Sequence, residues 1–277
     1  MTSKYYFDDV GVCILSWKGY DSLQNALMTY QERGFISMFA QFKVLLPEGT
    51  NDGVEICKSF NVEPIVFEQN LGILGGFEGM ANVLSTKYGI FLENDLPLYE
   101  NAGEAYRQIN DARNAFENGD IVHATFKHRD NPNTLNELIA KTSRYYPREN
   151  ATNFEKFVAN LRRILRPKKA LRLVGATVYY RNDAQDLCPQ YIKKCENGAY
   201  ILGAKVLNWS NMAFMINREF FLEKIINFAK EAKTKRRING FKNLEIEMNS
   251  PYWKNSGWKI MVHQGLFKHE RQSYRGY

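Results

Sequence analysis

Cysteine and histidine are scarce in this sequence, four of each, and neither clusters. Cys13, Cys57, Cys188 and Cys195 form no Cys-x-x-Cys pair and have no histidine nearby, which argues against a zinc motif or a disulfide framework and leaves reduced structural thiols. Apolar runs all fall short of the roughly eighteen residues that cross a bilayer. The opening residues 1–9 also lack the hydrophobic core of a secretion signal, so a cytoplasmic protein is the expectation. The glycines match neither Gly-x-Gly-x-x-Gly nor a Walker loop, which turns the reading away from dinucleotide folds and P-loop enzymes. What is present is a chain of 277 residues, 44% hydrophobic, long enough to bury a full core in one large domain with an appended lobe. Its formal charge of +7 attracts phosphates, anionic membranes or nucleic acid without choosing among them.

Residues 70–98 organise the rest. Asn70 opens a turn followed by Gly72, Gly75, Gly76 and Gly79, and glycines there let backbone approach a ligand or a sheet closely. An apolar strand follows at 88–92 and runs out into Glu93, Asn94 and Asp95, with Pro97 just beyond. Parallel α/β sheets hold their ligands at such strand ends. Carboxylates there, with no Lys or Arg behind them, suit a divalent cation carrying phosphates, because a hard cation takes oxygen ligands and few of them from protein. The same residues also serve a plainer purpose: the acids cap a helix or close a turn, and the glycines let a helix pack on the sheet.

The order Asn-x-Gly, glycine-rich helix, apolar strand, acidic triplet resembles the nucleotide-sugar-dependent glycosyltransferases of the GT-A fold, family 2 in kind. Glu93-Asn94-Asp95 stands where that family has its Asp-x-Asp motif. The resemblance implies an α/β, Rossmann-like, mostly parallel central sheet flanked by helices, with a small acceptor-side lobe. It implies one domain over 1–277, in which 1–128 bind the nucleotide sugar and 129–277 bind the acceptor and complete the site.

The first half suits that plan. Strands are expected at 10–17, 42–46 and 64–67, with helices after Asp21 and Asp52. By the resemblance, Ser16 and Trp17 lie under the base or ribose and Glu48 takes the place of a base-contacting aspartate, although Trp17 would equally plug the sheet edge. Asn70, Gly72, Gly75, Glu93 and Asn94 join the donor contacts, Glu93 near the ribose. A helix over 99–118 and a strand over 120–127 follow, with His123 packed in the core and His128 exposed or on the acceptor side.

Beyond residue 129 the composition turns basic. Arg144, Arg148, Lys156, Arg162, Arg163, Arg166, Lys168, Lys169 and Arg172 surround Phe154, Phe157, Leu161, Ile164 and Leu165, which recur at helical spacing. That is a basic amphipathic helix, read as a solvated face, an acceptor site or a peripheral membrane contact. No stacking platform or nucleic-acid signature accompanies it, so no nucleic acid is expected. Strands are expected at 171–180, 205–209 and 213–216, and a helix over 218–232. Ser210 and Asn211 face the donor sugar by the resemblance or else form a turn, and the basic loop 233–237 comes near the diphosphate.

At the C-terminus the resemblance makes Glu245 or Glu247, at a helix start, the catalytic base. Their side chains point about 200° apart on a helix, so at most one enters the site. His269 completes a metal site with Asp95, and Arg271 neutralises the leaving diphosphate. A mixed carboxylate and imidazole site accepts Mn²⁺ more readily than Ca²⁺. The expected activity is metal-dependent transfer, with Mn²⁺ or Mg²⁺, of a sugar from a nucleotide donor, UDP-linked by expectation, to an oligosaccharide or glycan hydroxyl with inversion. A retaining transferase, or a non-enzymatic RNA- or membrane-binding module built on 144–172, is the alternative.

Overall fold

The computed structural model describes residues 5–129 and 137–270. Strands β1 (Phe7–Leu15), β2 (Phe39–Pro47), β3 (Glu63–Phe67) and β4 (Tyr88–Glu93) alternate with helices α1 (Tyr20–Glu32), α2 (Asn51–Ser59) and α3 (Gly72–Val83). Helix α4 (Ala102–Glu117) then leads to β5 (His123–Lys127). Near-continuous apolar strands separated by amphipathic helices have one stable arrangement, a parallel sheet covered on both faces. Accordingly Val12 and Ile14 of β1 enter the core beneath α1 and α4, while their neighbour Cys13 enters the core beneath α3.

Strand β6 (Ile192–Lys194), β7 (Tyr200–Gly203), β8 (Phe214–Asn217) and β9 (Lys259–Phe267) complete the sheet. Among the described residues its order is β3-β2-β1-β4-β8-β5-β9-β7-β6. Only β8 and β7 run against the other seven strands. Because β8 lies between β4 and β5, and β9 pairs with β5, the first and second halves of the chain share one sheet.

The middle of the chain is helical: α5 (Glu137–Ser143), α6 (Asn153–Leu165), α7 (Pro167–Val174), a 3₁₀ turn (Gly175–Tyr179) and α8 (Ala184–Leu187). The strand expected at 171–180 is therefore absent. Pro167 occupies the first helical turn, where its missing N–H costs nothing, and Ala170, Leu173 and Val174 bury at helical spacing, which overrides the β-propensity of the Val, Thr and Tyr that follow. Residues 205–209 form turns rather than a strand. Trp209 is buried there by stacking against Phe221 and edge contacts with Trp253 and Phe214. One continuous helix joins α9 (Arg218–Phe220), a π-helical turn (Phe221–Ile226) and α10 (Asn227–Glu231), followed by the short α11 (Leu244–Met248) and α12 (Pro251–Lys254). No described helix is long and apolar enough to cross a membrane.

Strand β9 does not run straight along β5. Its register slips between Thr125 and Lys127, where Gly265 adopts φ +99° with backbone of Lys127 and His128 so close that a Cβ would stand 2.3 Å away. The slip returns Phe267 to Lys127 and bridges it to Leu98. The residues after β9 are thereby laid across the tip of β4.

Candidate functional site

Three strand ends and two loops enclose a cleft of about 190 Å³, lined among others by Leu15 at the end of β1 and Trp17 beyond it, Pro47 at the end of β2, Asn70 just before α3 and Gly72 at its start, and Glu93 at the end of β4. The Asn70 side chain makes the turn itself, its Oδ1 accepting the Gly72 amide at 2.8 Å. Gly72, at φ +63°, leaves room for Phe241, whose ring carbon would lie 2.4 Å from a Cβ. Gly75 and Gly76 do not line the cleft. Gly76 packs on Leu15, which lets α3 lie close on the sheet, and Gly75 packs on Leu71 at the start of its own helix.

Trp17 is held in place from the side. Its Nε1 donates to Glu48 Oε2 at 2.7 Å, and Lys18 Nζ stands 3.3 Å from the same oxygen. These bonds, the indole first, lower the Glu48 pKa below its ordinary value. Glu48 thus positions Trp17 and is not itself in the cleft wall, unlike its expected role against a base. Ser16 is also outside the wall: it is buried, with no partner for its Oγ among the described residues.

The acidic triplet divides its labour. Glu93 faces the cleft. Asn94 is buried and structural, its Nδ2 donating to Gly19 O at 2.7 Å and its backbone N–H to Leu15 O at 3.1 Å, which ties the turn after β4 to the loop after β1. Asp95 is fully buried, and its Oδ2 lies 3.3 Å from His269 Nε2. Two backbone bonds make this meeting possible: Lys268 donates to Pro97 O at 3.2 Å and Glu270 to Asp95 O at 2.8 Å. Residues 174 positions apart in sequence are joined because β9 bulges at Gly265 and returns over β4. The negative field of Asp95, after burial, helps raise the pKa of Tyr30 beneath it.

Helix α11 begins at Asn243, whose Oδ1 caps the amides of Glu245 and Ile246 at 2.9 and 3.2 Å. Glu245 is reached by solvent, yet enough protein surrounds it that desolvation raises its pKa, an effect opposed by the nearby charge of Lys127 at the end of β5. Burial conversely lowers the Lys127 pKa, and Glu245 opposes that fall. Glu247 turns inward and is buried; its Oε1 has no hydrogen-bond partner among the described residues, and desolvation raises its pKa. The two glutamates therefore face opposite environments.

Asn211 is buried with its Oδ1 accepting the Trp209 indole N–H at 2.9 Å, and Ser210 Oγ accepts the Met212 amide at 3.3 Å. Both side chains shape the turn before β8. Arg271 lies outside the described residues. His128 is not exposed: it is buried with Nε2 3.0 Å from Glu100 Oε1. His123 packs in the core as expected, stacked on Phe214. The cleft walls absent from the sequence reading include Ile238, Asn239, Phe241 and Lys242, which directly follow the basic loop 233–237; that loop itself does not line the cleft. Asn239-Gly240 between two apolar residues was the available signal, since that pair favours a tight hairpin turn, and both residues have positive φ. Lys242 Nζ donates to Ala229 O and Ala232 O, capping α10 and anchoring this hairpin.

No protein-family model matches the chain and no curated protein matches it in sequence. Solved structures do match in fold. TarS from S. aureus aligns with 95% of this chain and 36% of its own, at 10% identity and a TM-score of 0.52. Glucosyl-3-phosphoglycerate synthase from Mycobacterium tuberculosis, in complex with Mn²⁺, UDP and glucosyl-3-phosphoglycerate, aligns with 96% of this chain and 73% of its own, at 10% identity and a TM-score of 0.51. The same synthase with Mn²⁺, UDP-glucose and phosphoglyceric acid gives 12% identity and 0.51. This chain thus spans about a third of TarS and about three quarters of the synthase. At such identities the likeness is one of architecture, and the architecture is the GT-A fold, with the mostly parallel sheet flanked by helices that the sequence led us to expect.

Proposed function

We propose that this protein is a metal-dependent glycosyltransferase that moves a sugar from a nucleotide donor, UDP-linked, to a glycan hydroxyl with inversion at the anomeric carbon. The observation that carries the reading is the meeting of Asp95 and His269 at 3.3 Å, two residues beyond Glu93, which lines the cleft together with Trp17. The bound UDP and Mn²⁺ in the synthase of like fold support the choice of donor and metal. The donor atoms fit a divalent ion. A carboxylate oxygen and an imidazole nitrogen 3.3 Å apart are close enough for one divalent ion to be held by both. An imidazole beside a carboxylate accepts Mn²⁺ more readily than Ca²⁺, and Mg²⁺ is the alternative ion. Among the described residues no third His, Cys, Asp or Glu joins the pair, which leaves the other positions to diphosphate and water oxygens.

In this reading Asp95 Oδ2 and His269 Nε2 would hold the ion, and the ion would supply charge neutralisation for the departing nucleotide diphosphate. Trp17, fixed by Glu48, offers its ring to the base, and Glu93 offers acceptor oxygens to the ribose. The Asn70 turn and Gly72 bring backbone close to the donor. Glu245 takes the proton from the acceptor hydroxyl. Desolvation makes its carboxylate a stronger base than a solvated glutamate, and the nearby charge of Lys127 opposes that rise in pKa. Glu247, buried on the other side of α11, has no part in the transfer. Residues 1–128 supply most of the donor site, and 129–277 complete it with His269 and the hairpin at 238–242 and hold the acceptor, an oligosaccharide or other glycan. Peripheral membrane contact has separate support on the surface of α6.

A thermal-shift screen of nucleotide sugars with and without Mn²⁺ tests the proposal. A ligand that binds only the folded state adds about 2.7 kcal/mol of stability at roughly a hundred times its Kd. The expected result is a shift with UDP-sugars that requires Mn²⁺ and disappears in Asp95→Asn and in His269→Ala. Metal-independent shifts of equal size in those variants would remove the Asp95–His269 site from the mechanism. Product anomer by NMR then separates inversion from retention.

A further inference from the structure

Helix α6 carries apolar side chains that the fold leaves uncovered. A capping box starts it: Thr152 Oγ1 accepts the Glu155 amide at 3.3 Å, and the Glu155 carboxylate accepts the Thr152 amide at 2.8 Å. Its 13 residues extend about 20 Å. One side is docked, through buried Ala159 and through Arg163, which donates to Tyr145 O at 3.0 Å. The opposite side presents Phe154, Phe157, Leu161, Ile164 and Leu165, which are 74, 65, 46, 66 and 70% exposed. At helical pitch these five fall within an arc of about 100°, the width of the stripe an amphipathic helix normally turns toward a core. A contiguous apolar surface of this kind on a folded protein marks a place of contact.

Charge is concentrated around the same stripe. Residues 141–172 hold ten Lys and Arg against two Glu, a net of +8, whereas all the remaining residues together sum to −1. Arg144, Arg162, Arg166 and Lys169 line a second cleft between α5, α6 and α7, and Leu165, the last residue of the stripe, closes one side of it. Phosphate-sized anions would meet converging guanidinium groups there, at the edge of the apolar ridge.

We propose that α6 seats this protein on an anionic phospholipid bilayer, with the stripe at the acyl boundary and the surrounding bases against lipid phosphates. A helix with a strongly apolar face flanked by Lys and Arg gains from both contacts when it lies in the plane of the interface. The stripe is a convex ridge, which a deformable bilayer accepts. A second copy of this chain is disfavoured, because a two-fold contact through the stripe would set +8 against +8. The docking depends on no step of the glycosyl transfer and stands apart from it.

Sedimentation of the full chain with vesicles tests the proposal, using phosphatidylglycerol and phosphatidylcholine in equal parts against phosphatidylcholine alone. Binding is expected to the first and not the second, and to weaken as salt screens the charges. The double substitution Phe157→Ser with Ile164→Ser, at exposed positions, is expected to leave the melting temperature unchanged and to cut vesicle partitioning roughly tenfold or more. Arg162→Glu with Arg166→Glu is expected to abolish the preference for phosphatidylglycerol. The Mn²⁺-dependent donor shift serves as the control and is expected to persist in all these variants, so that failure of docking and failure of the transferase reading remain distinct. Undiminished binding by the apolar variant, indifference to lipid charge, or no binding to either vesicle overturns the proposal. So does a solution dimer that the Phe157 and Ile164 substitutions dissociate, which would assign the stripe to a second copy.

Discussion

Glu245 and Glu247 sit two positions apart on one short helix, and their surroundings give them different chemistry. Both have raised pKa values, but Glu245 faces solvent and Lys127 while Glu247 is buried. In the general-base role proposed for it Glu245 must be ionised, so kcat/KM is expected to rise with pH through a pKa above the usual glutamate range. Lys127→Met removes the charge that opposes this rise and is expected to move the limb to higher pH; an unmoved limb would take Glu245 out of the role. Glu245→Gln is expected to lower kcat by about 10²–10⁴ with the donor-induced thermal shift retained. His123 offers a separate test at the same scale. Burial lowers its pKa from 6.5 to about 3, and His263 behaves alike. Between those values the unfolded chain binds protons that the folded chain refuses, so stability is full above pH 6.5 and falls as pH drops toward 3. His123→Phe, which preserves stacking on Phe214, is expected to flatten the fall in melting temperature over that range.

Among elements, β9 and its bulge decide whether the site exists. Gly265 is the one residue type that accepts φ +99° with neighbouring backbone at 2.3 Å. Gly265→Ala is expected to cost about 2–4 kcal/mol in denaturant unfolding and to weaken donor binding by displacing His269 from Asp95. An alanine variant of wild-type stability would mean that the bulge does not govern the register. Helix α7 teaches a related lesson about reading patterns. Residues 171–180 are rich in strand-forming types, but Pro167 and the i, i+3, i+4 spacing of Ala170, Leu173 and Val174 carried the correct signal. Periodicity over a window starting at 167 outweighs the propensity of a window starting at 171, because burial of a face stabilises more than intrinsic preference does.

At the scale of the whole molecule, the single sheet makes the two halves one mechanical unit. With β8 inserted between β4 and β5, neither half can lose its strands without opening the other. Denaturation followed by far-UV circular dichroism and by fluorescence of Trp17, Trp209, Trp253 and Trp258 is therefore expected to give coincident transitions, and separated transitions would divide the chain into two domains. The sequence by itself determined the α/β class, the first four strands to within a few residues, the acidic tip of β4, the terminal histidine and the basic amphipathic helix. Each of these is written in short-range pattern: apolar runs, glycine turns and helical spacing. Only the tertiary structure decided that Asp95 and His269 touch, that Glu247 is buried, that Asn94 ties the turn after β4 to the loop after β1, that Glu48 bonds Trp17, and that the apolar side of α6 faces outward. Those outcomes depend on which distant strand lies alongside, where a bulge shifts register, and which helix face finds a neighbour. Such long-range pairings leave no local periodicity in the chain for a reader to find.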